Sequence, residues 1–451
     1  MENGEANVRD STETGSETRL ASRRSLAKLL NGLNGQALIS VGLKATGALL
    51  ALALQWAVAR LYGATGSGLF ALMATATTFI GVVAAWGQDF IVLRNVSGDL
   101  AENRYDLARG NVRASLRIAV VGTLVGTVAI AGLALLYSGP FGQSKMTPIL
   151  LWALPVCAGL AIARLFAFTA RAGGAVIASQ LPDGPLTSLV ALLALGIIAL
   201  VWPSTGTWVL GLVYGVAYAS ALFYSFALAR KVMQRWPTGT AQIDSAPLVR
   251  GGMLVALASA TPYLTDWLIL FTVDATIGTA AAGQVRIVAL FTSVMFLVTI
   301  AFESVFSPAM AAALRLDRRA EVTRLYRQYA FGSAALALPI VIAAVLFPGL
   351  LLQIFGPDFV SAAPALRAAV VIQLLTILLG PAGTILIMGK RESAILIVNA
   401  AGALFLVVGC FFLIPHFGVL GGVLASVGTL FVKRMAEIVV VRRMMGLRLL
   451  V

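Results

Sequence analysis

The hydrophobic positions of this chain seldom alternate with polar ones. They run on for whole stretches, as from Ile118 to Leu136 and from Ala334 to Phe347, where a helix would be apolar or small on every face. Such a helix belongs in a protein core or in a bilayer. A crossing needs roughly 20 mostly apolar residues. Runs of that order recur at Gln36–Tyr62, Leu69–Val92, Ala114–Tyr137, Pro148–Thr169, Thr187–Trp202, Trp208–Leu228, Met253–Val273, Gln284–Ala312, Phe331–Leu352, Pro364–Met388, Ala394–Pro415 and Val419–Val441. Gly, Pro and polar clusters separate them, such as Tyr137-Ser138-Gly139-Pro140 and Trp202-Pro203-Ser204, and read as turns. The pattern predicts an all-α membrane protein of about twelve transmembrane helices, numbered here as spans one to twelve. Residues 1–35 are polar and mixed in charge, and are expected to form a disordered cytoplasmic tail. They lack the short apolar core and small-residue cleavage site of a signal peptide.

Composition sharpens this picture. Of 451 residues, 59% are hydrophobic and 12% charged, far from the mix a water-soluble core tolerates. The formal charge of +14 would suggest nucleic acid if the basic residues shared one soluble surface. Instead they are scattered over short loops between apolar runs, so anionic lipid headgroups are the expected partners and nucleic acid is not.

With twelve crossings, both termini and every even-to-odd loop share a side. That side, with the span ends meeting it, holds Arg94, Arg104, Arg109, Arg113, Arg117, Arg171, Arg230, Lys231, Arg235 and Arg250. It also holds Arg315, Arg318, Arg319, Arg324, Arg327, Lys390, Arg391, Lys433, Arg434, Arg442, Arg443 and Arg448. The other side has only Arg60, Lys145, Arg286 and Arg367. Excess Lys and Arg mark the cytoplasmic face, so both termini are expected there.

The two halves carry a faint repeat. Gly63-Ala-Thr-Gly-Ser-Gly68 opens span two and Gly278-Thr-Ala-Ala-Ala-Gly283 opens span eight. An acid follows each, Asp89 21 residues after Gly68 and Glu303 20 residues after Gly283. Two six-helix lobes, 36–236 and 237–451, around a central cavity are the expected arrangement.

Catalytic signatures are missing. The nearest phosphate-loop candidate, Gly383 to Gly389-Lys390-Arg391, has five residues between its glycines where four are needed, and Arg391 where a magnesium-binding hydroxyl belongs. Cys157 and Cys410 lie far apart in apolar runs and read as packing residues, and His416 stands alone, so neither a disulfide nor a metal site is expected. Without a cofactor, energy would have to come from an H+ or Na+ gradient, the membrane potential or the substrate's own gradient.

The informative residues are ionisable groups within spans, because charge in hydrocarbon is costly and such groups face polar cavities. Lys44 lies about 12 Å into span one at the helical rise, with snorkelling as its alternative role. Arg60 ends the same helix, on another side. Asp89 and Arg94 flank the end of span two as a possible local pair, while Arg164 and Arg171 border span four, where lipid phosphates could hold them. Asp266 is mid-span in Thr261-Pro-Tyr-Leu-Thr-Asp-Trp267, and Arg286 could pair with it or face the cavity. Glu303 is a candidate ion carrier or a satisfied structural acid, Asp274 is expected to be solvated, and Arg367 to be interfacial. This set would tolerate an anion better than a lipophilic cation.

From Gln36 onward the chain resembles the multidrug/oligosaccharidyl-lipid/polysaccharide flippase superfamily, in particular its bacterial O-antigen-type flippases. The resemblance is carried by Ala59-Arg60-Leu-Tyr-Gly63 with Gly68-Leu-Phe70, and by Gly87-Gln-Asp89 with Arg94. Leu351-Leu-Gln-Ile-Phe355-Gly356 with Phe359, and Leu413-Ile-Pro415-His-Phe-Gly418 with Gly421-Gly422, complete it. It implies an inner-membrane protein, not an enzyme, that moves undecaprenyl-diphosphate-linked oligosaccharide from the cytoplasmic to the periplasmic leaflet by alternating access of the two lobes. Other polysaccharide-assembly proteins are implied partners. It also implies that Lys44, Arg60, Arg286 and Arg164 line the cavity and bind the diphosphate. Asp89, Asp266 and Glu303, by their place in or at the ends of apolar spans, read as ion-coupling or structural acids. An ion-coupled multidrug exporter of the same superfamily is the alternative. A membrane-embedded glycosyltransferase or polymerase would need a large outer loop, and every outer loop here is short.

The topology is testable with reporter fusions. A reporter active only in the periplasm should work at Ser204 and stay silent at Arg318, and the reverse pattern would refute the twelve-crossing orientation.

Overall fold

The computed structural model describes residues 35–138, 145–202, 204–239, 241–388 and 392–447. The expected tail up to residue 34, the phosphate-loop candidate's Gly389 to Arg391, and Arg448 lie outside the described residues. Among the described residues the regular structure is helical throughout. Nine helices among the described residues are long and apolar enough to cross a membrane. The first, Gly42–Ala84, is 43 residues long and is broken by a kink at Gly63, so it supplies spans one and two. The shorter apolar helix Pro185–Val201 and the charged-ended Val419–Met445 supply spans five and twelve, which brings the crossings to about twelve.

The surface explains why these helices need lipid. On span three, Val121, Leu124, Val125, Val128 and Leu135 are all more than half exposed, while Ala119, Thr123, Ile130, Ala134 and Tyr137 are buried. The exposed set recurs at three- and four-residue steps, so one whole stripe of the helix is bare hydrocarbon. Leu404, Phe411 and Phe412 do the same on span eleven. In water such patches would drive association, whereas acyl chains cover them at no cost.

Four spans depart from the sequence reading, one of them span nine, where the helix stops at Leu346 and Pro348–Gln353 follows as a separate helix. Span two ends at Ala84, and a new helix, Gln88–Ala101, starts after Trp86 and Gly87, both with positive φ. Span four breaks into Met146–Trp152 and Pro155–Ala172, since Pro155 can open a helix but cannot continue one. Span ten divides at Gly380-Pro381 into Ala363–Leu378 and Ala382–Met388. Hydropathy runs straight through these breaks because the breaking residues are themselves apolar or small.

The glycine repeat meets itself in space. Gly63, at φ 65°, turns span one into span two, and Gly278, at φ 120°, turns span seven, Ser245–Thr276, into span eight, Thr279–Arg315. Five residues on, Gly68 and Gly283 lie against each other's helix. A Cβ on Gly68 would stand 2.0 Å from the Thr279 carbonyl oxygen, and one on Gly283 would stand 2.1 Å from that of Ala64. Each glycine opposes the residue four before the other, so the contact has near two-fold symmetry. The turn Pro357–Ala362 seals it: the Ala64 amide donates to Asp358 Oδ2 at 3.5 Å, and Gln284 Nε2 donates to the Asp358 carbonyl at 2.7 Å. At the same end Trp56 Nε1 donates to the Ile354 carbonyl at 3.0 Å.

At the basic end the halves join differently. Trp86 Nε1 and Gln88 Nε2 donate to the carbonyls of Val249 and Leu248 at the start of span seven, at 2.9 and 3.1 Å. Arg109, counted above among loop charges, donates to the carbonyls of Met233, Trp236 and Pro237. It thus caps the C-terminus of span six, Val209–Met233, where a cation is favoured.

Neither helix of the glycine contact has room for a methyl group, so Gly68→Ala or Gly283→Ala should force the two apart at a cost of about 1–3 kcal/mol. Spin labels at Leu61→Cys and Ile277→Cys, both exposed near this contact, should then show a longer distance population. An unchanged distance distribution in both variants would show that the contact does not hold this end closed.

Candidate functional site

Two cavities among the described helices take in candidate residues. The first, of about 340 Å³, is walled by spans one, two, four, five and six, with Tyr263 and Asp266 of span seven and Arg286 of span eight. The second, of about 350 Å³, is walled by spans seven, eight, ten and twelve. Asp266 and Arg286 belong to both walls. They therefore stand on the partition between the two spaces.

Toward the basic end the first cavity reaches Ser179, Pro182 and Asp183 in the loop after span four. Toward the opposite end its wall stops at Gln55 and Phe70, where Gln55 Nε2 donates to Ser67 Oγ at 2.8 Å beneath the glycine contact. The closed end and the cavity thus follow from one arrangement.

The candidate residues divide into three groups. Asp266 and Arg286 are brought together on the partition, with no guanidinium–carboxylate contact within 4.0 Å among the described residues. Asp266 lies one turn past Pro262, whose missing amide loosens span seven there, and it is exposed to the cavity. Arg286 is half-buried, seven residues past the helix start at Thr279.

Arg164 also lines the first cavity, but it is paired. Its Nη2 and Nε lie 2.8 and 3.0 Å from Asp89 Oδ2. Asp89 is 4% exposed and so relies on this one partner for its charge. The expected local pairing of Asp89 with Arg94 is not found. The break at Gly87 turns Asp89 inward toward span four, and Arg94, exposed, donates to Asn95 Oδ1 instead. Arg171 rests over the Phe168 ring at 4.5 Å and donates to Ser179 Oγ at 3.1 Å.

The third group lines neither cavity. Glu303, half-buried, accepts a hydrogen bond from Thr384 Oγ1 at 3.0 Å. Lys44 is exposed on the face of span one that continues into Ala51 and Gln55, seven and eleven residues on, so it stands near the mouth of the first cavity. Arg60 is exposed and lines neither space. Arg367 donates to the Val345 carbonyl at 3.1 Å. Asp274, expected to be solvated, is buried at 5% exposure beside Tyr137, because the end of span seven tucks under span three.

Several wall residues escaped the sequence reading. Asp183 hid in a loop, and Tyr214, Tyr218 and Tyr263 passed as ordinary apolar-run aromatics, although Tyr214 and Tyr218 share a helix face at four-residue spacing. Glu437, 6% exposed and 2.9 Å from Arg434, is a further buried pair on span twelve. Among the described residues no cluster of His, Cys, Asp or Glu has the makings of a metal site.

No protein-family model matches the chain, and no curated protein sequence does. Solved structures do. The lipid II flippase MurJ in an inward closed conformation aligns over 90% of this chain and 87% of its own, with TM-score 0.67 and 10% identity. An inward-facing multidrug resistance MATE family transporter of the MOP superfamily aligns over 87% and 92%, with TM-score 0.62 and 14% identity. The chain shares the fold of MOP-superfamily transporters. A further such transporter, from Pyrococcus furiosus and noted for the reverse polarity of its binding pocket, aligns over 91% and 94% with TM-score 0.56 and 17% identity. Pocket polarity therefore varies on this fold, and the wall chemistry of each chain has to be read for itself.

The Asp89–Arg164 pair should behave as a unit. Asp89→Asn or Arg164→Gln alone leaves a charge without its partner and should cost about 3–5 kcal/mol. The double variant should cost less than the sum, with a coupling of about 1–3 kcal/mol in a double-mutant cycle of unfolding in detergent. Additive losses would show that the pair is not energetically coupled.

Proposed function

We propose that this chain is a flippase for an undecaprenyl-diphosphate-linked oligosaccharide, carrying the head group from the cytoplasmic to the periplasmic leaflet of a bacterial inner membrane. The observation that carries the reading is Arg286: a cation on the partition between two cavities, with no carboxylate within 4.0 Å among the described residues. An unpaired guanidinium inside a membrane protein is expensive unless an anion visits it. Phosphate suits the guanidinium fork, and two phosphates suit a site entered past Lys44. The polyprenyl tail has no need to enter, since it is content in lipid, while the sugars and phosphates cannot cross hydrocarbon unaided.

On this reading the lobes 36–236 and 237–451 rock about the cavity, with the glycine contact parting as it opens outward. Arg164, neutralised by Asp89, shapes the wall, and Arg60 anchors to headgroups on the outside of span one. Asp266 is the acid placed to answer the loading of Arg286 and so to couple transport to H+ or Na+. Glu303 takes a structural role through Thr384.

One observation favours the other reading, an ion-coupled multidrug exporter. Asp183 and Asp266 face the same cavity as three tyrosines, a wall that would also suit a flat organic cation.

Removing the gene should cause lipid-linked oligosaccharide to accumulate on the cytoplasmic leaflet. Arg286→Ala should lower surface glycan about 10- to 100-fold at equal membrane abundance, the worth of a charge-assisted hydrogen-bond pair of about 1.5–3 kcal/mol, while Arg286→Lys keeps part of it. Asp266→Asn should abolish export at every pH. Normal glycan with altered drug efflux in the Arg286→Ala strain would refute the flippase and support the exporter.

A further inference from the structure

Phe70, Tyr214 and Tyr218 form a row of ring contacts in the first cavity, with Tyr263 in the cluster at its end. Tyr214 and Tyr218 stand a helical turn apart on span six, with ring centroids 4.9 Å apart at 68° and hydroxyls 3.4 Å apart. Phe70 meets Tyr214 edge-on at 5.5 Å. Tyr218 and Tyr263 pack into a single apolar cluster with Leu160 and Val82, and Tyr263 stands beside Arg164. The row thus runs from beneath the closed end to the basic end.

Its surroundings leave it open to a ligand. Ala163 and Ala167, four residues apart on span four, line the same cavity with small side chains, while Gly159 lets span four pack against the Tyr218 backbone. All three tyrosines are half-buried and belong to the cavity wall. Asp183, Thr187 and Ser188 add oxygen acceptors and hydroxyl donors from the loop and span five. Arg164 adds N–H groups without net charge, because Asp89 neutralises it.

That combination matches a pyranose. A sugar ring offers a C–H face, which stacks on an aromatic ring, and an edge of hydroxyls, each needing a partner once out of water. A wall built only for packing would bury its rings, and the unpaired cation that a diphosphate needs, Arg286, stands on the partition. We propose that Tyr214, Tyr218 and Tyr263, with Asp183 and Arg164, form a glycan-recognition subsite separate from the diphosphate position at Arg286. This rests on the flippase reading and assigns the two chemical parts of its substrate to two walls.

Binding by the purified full chain in nanodiscs tests it with two probes, undecaprenyl diphosphate and the same lipid carrying one N-acetylglucosamine. The wild-type chain should bind the sugar-bearing lipid about tenfold more tightly, the equivalent of one well-made polar or stacking contact. Tyr218→Leu and Tyr263→Leu should erase that increment and leave binding of the bare diphosphate unchanged, whereas Arg286→Ala should weaken both lipids alike. Tyr218→Phe and Tyr263→Phe, which keep the packing, should retain most of the increment and confirm that the rings carry it. An increment intact in the leucine variants, or none in the wild type, overturns the subsite while leaving the flippase reading in place. Failure of the wild type to bind either lipid overturns both. Tight rhodamine 6G binding that the leucine variants abolish, with no sugar increment, would assign the wall to aromatic cations and overturn the proposal.

Discussion

Everything inside this molecule hangs from the place where two helices from opposite halves touch backbone to backbone. At Gly68 and Gly283 the helices approach so closely that a single methyl group on either would overlap a carbonyl oxygen of the other. In a bilayer the hydrophobic effect does not hold helices together, since lipid tails are as apolar as side chains. Close packing of small residues and a few hydrogen bonds must do it instead. Here the glycines supply the packing, and Asp358 and Gln284 supply the hydrogen bonds. Closing this end is what makes the first cavity a cavity.

The second constraint is the placement of charge within that space. Asp89 and Arg164 are drawn from separate helices into one ion pair, so the charge they bring into the membrane largely cancels. Asp266 and Arg286 are left open on the partition, where both cavities reach them. One pair is a structural fixture of the wall and the other lies open to both cavities. The distinction depends on distances of a few ångströms, and it separates residues that look alike in composition.

The buried pair also accounts for an asymmetry between the halves. Span eight continues unbroken past Glu303 to Arg315, whereas span two stops at Ala84 and restarts at Gln88. The repeat is kept where the helices meet and lost at the basic end. There the restarted helix delivers Asp89 to Arg164, and Glu303 settles against Thr384 on span ten.

By itself the sequence determined the class, the number of crossings and the glycine repeat, because those depend on local hydrophobicity and spacing along one chain. It also singled out Asp266 and Arg286 as costly charges within apolar runs. Tertiary structure alone decided that Gly68 and Gly283 touch, that Asp89 pairs with Arg164 and not with Arg94, and that Asp274 is buried. It also decided that neither Lys44 nor Arg60 lines a cavity. Helix breaks at Trp86-Gly87 and Gly380-Pro381 were invisible to hydropathy because small and apolar residues make them. The tyrosine row was hidden for a related reason: its members lie on two helices, and an aromatic in an apolar run looks the same whether it faces lipid, packing or a polar cavity. Pairing and facing are properties of how helices meet, and a polar group's role in a membrane is set by the partner that meeting provides.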